Sequence, residues 1–329
     1  MVSTDKEISK TMSNSRTLLI LGNGFDLDLG LKTSFRDFLK SSSYTSRLCD
    51  TATFRLIEDN EKWGDIEGAL RIAVLNSISC HNTSIDVEIN QTWQLLRNGW
   101  GIYLPQYIDD VQKTIKQWED SSDYGESKAN APIIISSCAY SLAKRIVDWS
   151  AVFSFNYTNP ADLLFGIWPN DIHFIHNTFV PHKHSTYPMY QIANFLAIGI
   201  DSKRIIEQVI DREYLLPIIK LNFIKTGLLN ELNQAMAEAD NIIFFGHSMP
   251  ITDSDYFDVF FNGIAENSIT DKRLFFVTKN QKSMEEIKNN LKTWEIDYDE
   301  LHKSKNCIVE IFTDNGSNNT DFKAMLDLL

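Results

Sequence analysis

Seven short apolar runs punctuate the chain, at residues 17–22, 151–155, 172–175, 195–200, 241–246, 273–278 and 307–312. They are apolar throughout rather than alternating, which suits strands buried on both faces of a parallel sheet. Several stop at a turn and resume with helical spacing, as at Thr252-Asp253-Ser254-Asp255 before YFDVFFNGI. That alternation predicts an α/β fold with a Rossmann-like, mostly parallel sheet. More than a hundred residues separate the first two runs, far more than a βα crossover needs. Within them, 66–78 and 93–120 carry helical periodicity with charged faces. The pattern therefore predicts a helical insertion over roughly 40–148, packed on the sheet edge, and a further helical stretch over about 203–239. Residues 1–15 are polar and read as a loose tail before a single α/β domain spanning 16–329.

Composition narrows the picture. The 329 residues are 43% hydrophobic and include 20 Phe, 11 Tyr and 7 Trp, enough for a large core. A formal net charge of −13 repels phosphate backbones, so nucleic acid is an unlikely partner. Cys49, Cys80, Cys138 and Cys307 stand apart with no CxxC pair, which argues against a zinc ribbon or a disulfide framework and fits a reducing cytoplasm. The N-terminal segment has no apolar core of a signal peptide, and no apolar stretch is long enough to span a bilayer. The expectation is a cytoplasmic protein with no membrane partner; a homo-oligomer stays open.

The candidate chemistry gathers where the runs end. The first stops at Gly22-Asn23-Gly24-Phe25-Asp26, and a helix opens at Thr33-Ser34. Closely spaced glycines let backbone N–H groups approach an anion, although the third glycine of the dinucleotide fingerprint is replaced by Leu27. The second run ends at Asn156, before Tyr157-Thr158-Asn159-Pro160, where Thr158 or Asn159 suits a helix cap. The third ends at His176, and another at Gly246-His247-Ser248. Polar residues at the carboxyl ends of neighbouring strands converge on the edge where doubly wound folds bind ligands. Asp253 or Asp255 reads as the cap of the following helix. A Ser hydrolase built on Ser248 with Asp271 and His302 is a weaker reading, since Pro250 stands where the nucleophile elbow needs glycine. His173, His176, His182 and His184 match no familiar zinc spacing, so no metal is expected.

Taken together, ILGNGFDLDLGLKTSFRDFL (20–39), KWGDIE (62–67), FSFNYTN (153–159), FIHN (174–177) and GHS with Asp255 resemble the AbiH family of bacteriophage abortive-infection proteins. The third of the shorter motifs departs from the family, which usually has IHG. The same landmarks are more loosely similar to sirtuin-like domains, including NAD-consuming antiviral ones. Their counterparts here are Gly22, Gly24, Gly30-Leu31, Asn156, His176 and Gly246-Ser248, with Lys32 in place of Pro and Asn177 in place of Gly. No cysteine quartet for a sirtuin zinc module exists, so deacylation is not expected. The resemblance implies a defence protein that binds NAD or a related nucleotide and hydrolyses it at the N-glycosidic bond. On that reading Gly22, Asn23, Gly24, Phe25, Gly246, His247, Ser248 and Asp255 contact the nucleotide, while Asn156, His176 and Asp26 serve the chemistry. A non-catalytic nucleotide sensor is the alternative; a nuclease is a weaker one. Trp63, Asp65 and Glu67 match the family pattern, with Glu67 placed to reach the pocket from above.

Overall fold

A computed structural model describes residues 16–41, 66–120, 134, 136–145, 151–158, 172–176, 199–200, 205–219 and 226–327. The expected loose tail, Cys49, Trp63, Asp65, Asn159, Asn177, His182 and His184 lie outside them. Six strands form one all-parallel sheet: β1 (Thr17–Leu21), β2 (Ala151–Ser154), β3 (Ile172–Phe174), β4 (Asn241–Phe245), β5 (Arg273–Thr278) and β6 (Cys307–Phe312). Their order is β3-β2-β1-β4-β5-β6, so the winding reverses between β1 and β4. This is the Rossmann-like α/β sheet that the apolar runs predict, and its switch point lies beside the glycine-containing strand end.

Residues 195–198 of the run at 195–200 lie outside the described residues; of the other two, Ile200 makes a parallel bridge to Ile219 and the Gly199 N–H donates to Glu67.

Side chains alternate across the central strands, giving each face its own core. Leu18, Ile20, Ile242, Phe244, Leu274 and Phe276 pack towards α7 (Thr226–Glu238), α8 (Ser254–Ala265), α9 (Gln281–Thr293) and α10 (Tyr298–Lys303). Leu19, Leu21, Ile243, Phe245, Phe275 and Val277 pack towards α1 (Gly24–Asp28), α5 (Cys138–Ala143) and α11 (Thr320–Asp327). The sheet is thus a middle layer between helices, and burial of both faces accounts for its unbroken apolar strands.

The long segment after β1 is helical where it is described: α2 (Phe35–Ser41), α3 (Ile66–Cys80) and the 38-residue α4 (Thr83–Asp120). Ser34 and Asp37 start α2 with reciprocal bonds, the Asp37 N–H to Ser34 Oγ at 3.1 Å and the Ser34 N–H to Asp37 Oδ2 at 3.3 Å, a capping box. These helices make a third core with Ile200, Ile205, Val209, Leu215 and Ile218, and Tyr157 packs against it from the end of β2. The stretch expected as helix over 203–239 is broken into α6 (Ile206–Val209), a 3₁₀ turn at Leu216–Ile218 containing Pro217, and α7. Proline has no N–H to continue an α-helix.

The loops leaving β1 and β4 touch backbone to backbone. A Cβ on Gly24 would lie 2.6 Å from Gly246 Cα, and one on Gly246, whose φ is +65°, would lie 2.5 Å from Gly24 Cα. Gly246→Ala is expected to lower stability by more than about 3 kcal/mol, through overlap and an unfavourable left-handed backbone. Gly227→Ala, near the start of α7 with nothing within 4 Å, is expected to raise it by up to about 1 kcal/mol. Urea denaturation of the two variants beside the wild type measures both; equal stability of Gly246→Ala and wild type would contradict the contact.

Candidate functional site

The sheet register brings the candidate residues level. Leu21 of β1 pairs with Ser154 of β2 and with Phe245 of β4, and Ser154 pairs with Phe174 of β3. Two residues beyond these positions stand Asn23, Asn156, His176 and His247. Four adjacent strands therefore each deliver a polar side chain at one height, at the carboxyl edge beside the switch point. Phe155 forms an apolar floor among them, edge-on to His176 at 5.2 Å and to His247 at 4.5 Å between ring centroids.

Asp26, in α1, is fully buried. Asn156 Nδ2 donates to its Oδ1 at 2.8 Å, and the Thr158 hydroxyl donates to its Oδ2. Thr33 lies beside this pair and donates to Asn23 Oδ1 at 2.9 Å. Burial pushes the Asp26 carboxyl up from its ordinary 3.8 to about 6, against the lowering effect of hydrogen bonds from Thr158, Thr33 and Asn156. Both carboxylate oxygens are committed to the protein. Asp26 thus holds the Asn156 carboxamide in place. Asn156 Oδ1 is buried and has no hydrogen-bond partner among the described residues, which leaves an acceptor open. Thr158, expected as a helix cap, spends its hydroxyl on Asp26.

His176 and His247 face one carboxylate. Asp253 Oδ1 is 3.4 Å from His176 Nε2 and Asp253 Oδ2 is 3.4 Å from His247 Nε2, with all three side chains buried. Asp253 makes no side-chain cap bond to α8, so the capping role expected of it is not the one it has. His247 Nδ1 accepts the Met249 N–H at 3.1 Å, through a turn in which Met249 takes a φ of +52°. Tyr157 stacks on His176 with centroids 5.6 Å apart, and Tyr256 approaches it edge-on at 6.1 Å. Burial and the neighbouring acids Glu67 and Asp253 hold both phenols well above the ordinary tyrosine range, so both remain neutral donors. The Tyr256 hydroxyl is buried without a partner among the described residues.

Glu67 reaches this cluster from the helical layer, as its place in the sequence suggested. Its Oε2 accepts the Thr252 hydroxyl at 3.2 Å and its Oε1 accepts the Gly199 N–H at 3.1 Å. Tyr103 and Tyr107 of α4 hold the loop after α1 from the same side. Tyr107 accepts the Lys32 N–H at 2.8 Å, and Tyr103 donates to the Lys32 carbonyl at 3.0 Å.

The glycine loops are arranged differently from an open anion cradle. The Gly22 N–H donates to the Phe245 carbonyl, the Gly24 N–H to the Gly246 carbonyl and the Phe25 N–H to the Gly22 carbonyl, each at 2.9 Å. These three amides are committed inside the protein. The Phe25 ring is buried edge-on to Phe245 in the core. His247 turns to Asp253 rather than outward. Ser248 is exposed, its carbonyl accepting Asn290 Nδ2 at 2.8 Å. Asp255 is buried in the first turn of α8.

The weaker readings fare as follows. Ser248 follows the carboxyl end of β4, whereas Asp271 precedes β5 at the opposite sheet edge and His302 packs on Tyr298, so no hydrolase triad forms. His173 points away from His176, pairing with Glu231 at 3.2 Å and stacking on Phe153. Among the described residues no helix is long and apolar enough to cross a membrane. The residues that sequence reasoning missed are Asp253 as partner of two histidines, and Tyr157 and Tyr256 as their buried neighbours. Two acids in TDSD after a strand were the available signal, but acids cap helices in the same position.

A family model described as bacteriophage abortive infection AbiH matches residues 18–273, a span running from β1 to the start of β5. No curated protein and no solved structure gives a significant match.

The raised Asp26 carboxyl fixes the sign of a pH effect. The folded acid holds its proton more tightly than the unfolded one, so its contribution to stability is complete below about pH 4 and is lost as pH rises through about 6, a loss of about 3 kcal/mol by pH 7. The stability of Asp26→Asn relative to wild type is therefore expected to climb by about that amount between pH 4 and 7. Denaturant titrations across this range test it, and parallel pH profiles of the two proteins would contradict it.

Proposed function

The chain belongs to the AbiH family of bacteriophage abortive-infection proteins, and from that premise we propose that its effector step is hydrolysis of NAD, or a related nucleotide, at the N-glycosidic bond. One observation carries the reading: the Asn156 carboxamide is held by a buried carboxylate, keeps an unpartnered acceptor, and stands level with His176 at the carboxyl edge of the sheet. A buried polar group without a partner is costly in a folded protein and is tolerated where a ligand completes it.

The chemistry asks little of the protein. Cleavage breaks the bond between ribose C1′ and the pyridinium nitrogen, and its electron pair neutralises nicotinamide, which leaves without protonation. The site must stabilise an oxocarbenium-like ribose and deliver water. Asn156 Oδ1 accepts from that water or from a ribose hydroxyl. His176 takes the proton released as water adds to C1′ and returns it to solvent. ADP-ribose and nicotinamide are the products. Buried Asp253 and Glu67 add negative potential near a cationic transition state.

A second reading is a nucleotide sensor without turnover. It needs only the open acceptor of Asn156 and no group that moves a proton.

Incubation of the purified protein with NAD, alone and with lysate of phage-infected cells, followed by chromatography of nicotinamide, tests the proposal. Asn156→Ala and His176→Ala, folded as judged by circular dichroism, are each expected to lose at least about 100-fold in turnover. Undiminished turnover in both variants would remove the catalytic assignment. Tight NAD or ADP-ribose binding by calorimetry, with no product under either condition, would favour the sensor.

A further inference from the structure

Asp26 is the buried acid that the proposed hydrolysis leaves without a task. It sits on α1, and both of its oxygens accept from the stretch that follows β2. Oδ1 takes Asn156 Nδ2 at 2.8 Å, and Oδ2 takes the Thr158 hydroxyl. An ionised carboxylate only accepts, so the end of the Asn156 carboxamide that faces it is the NH2 end. The Asn156 backbone N–H donates to Ser154 Oγ at 3.2 Å, which steadies the main chain from which that side chain springs. With one end committed, the other is decided. Asn156 Oδ1, buried and without a partner among the described residues, is the end turned away from the acid.

We propose that Asp26 is a positioning residue that sets which end of the Asn156 carboxamide meets the ligand, so that this point of the site takes a hydrogen donor, such as a sugar hydroxyl, and refuses a phosphate or carbonyl oxygen. That the donor belongs to the ribose at the scissile bond rests on the hydrolase reading above; the direction of the carboxamide does not. A carboxamide turned the other way would present its NH2 and select an acceptor instead. Protonating Asp26 lifts the constraint, because a carboxyl group can donate to an amide oxygen as well as accept from an amide NH2. Burial brings that protonation to about pH 6. The groups packed around Asp26 are neutral: Asn156 and Thr158 after β2, Thr33 before α2, and Tyr107 of α4, whose phenol burial holds above the ordinary tyrosine range. Asp28, on the same helix, gives its carboxylate to the Ala139 N–H at 2.8 Å. The ionisation of Asp26 itself is therefore what decides the direction.

Nitrogen–proton NMR of the full-length protein carrying ¹⁵N-asparagine, with Asn156 assigned from Asn156→Ala, reads that direction. The Asn156 Nδ2 protons are expected to be protected from exchange at about pH 7.5, where Asp26 is ionised, and to shift with a midpoint near pH 6. In Asp26→Asn the titration is expected to vanish. Nδ2 protons that exchange as fast as those of exposed asparagines, or that do not titrate, overturn the proposal; the wild-type spectrum decides this even if no variant folds. Calorimetry with ADP-ribose and with ADP, which lacks the second ribose, reads the consequence for the ligand. At the same pH, Asp26→Asn is expected to bind ADP-ribose about 10-fold more weakly, the loss of one oriented hydrogen bond, with ADP affinity unchanged. Combining Asp26→Asn with Asn156→Asp restores a carboxamide–carboxylate bond with donor and acceptor exchanged and keeps an oxygen towards the site. That double variant is expected to recover most of the lost affinity. Equal losses for the two ligands, or no recovery in the folded double variant, overturn the positioning role. Protected, titrating Nδ2 protons in a protein that binds neither ligand leave the direction standing and remove the nucleotide reading.

Discussion

The meeting of two glycine loops between β1 and β4 is the constraint on which the rest of the site depends. Gly22, Gly24 and Gly246 leave no room for a Cβ, and the amide of Gly24 is bonded to the carbonyl of Gly246. The sheet reverses its winding here, so the two chains leave on opposite faces, one into α1 and the other towards α8. Backbone contact at the point of divergence fixes the loop that carries Asp26, two residues past Gly24, relative to the loop that carries His247, the residue after Gly246. A larger side chain at any of the three positions would push those loops apart, and with them the acid that holds Asn156 and the ring that backs Asp253.

Around that contact the protein builds a buried polar cluster whose members hold one another. Asp26 holds Asn156 and Thr158; Asp253 faces two imidazoles; Glu67 accepts from Thr252, the neighbour of Asp253. Burial of so many ionisable groups is costly, as the raised Asp26 carboxyl records. Apolar cores on both faces of the sheet and in the helical layer offset that cost. Among the described residues, Asn156 Oδ1 and the Tyr256 hydroxyl stay buried and unpartnered within this cluster.

Much of this was legible in residue order. The strand ends at Gly22, Asn156, His176 and Gly246 follow from apolar runs that stop at polar residues, and register then makes them level. The helices of the long segment follow from periodicity. What stayed hidden concerns partners rather than elements. A sequence shows that a glycine backbone is bare, but not that another backbone fills the space, so the amides of Gly22, Gly24 and Phe25 looked available. Asp253 looked like a cap because caps and imidazole partners draw on one residue type. The stretch over 203–239 reads as continuous from its apolar spacing, yet Pro217 stands in a 3₁₀ turn within it.

The helical layer is part of the site rather than a decoration on it. Glu67 of α3 bonds to Thr252 beside Asp253 and to Gly199, while Tyr103 and Tyr107 of α4 grip both polar groups of the Lys32 backbone, just before Thr33 and Asn23. Phe35, Trp100 and Tyr157 pack ring against ring, joining α2, α4 and the end of β2, and Tyr157 stacks on His176. Every one of these links is short and involves a buried or half-buried group, so the layer cannot slide without breaking several together. A signal that acts on the helices therefore has a direct mechanical route to the His176 ring and to the Thr252–Asp253 turn, through groups already in contact. The helical roof and the sheet edge share side chains, so the polar cluster keeps its shape only while the helical layer stays in place.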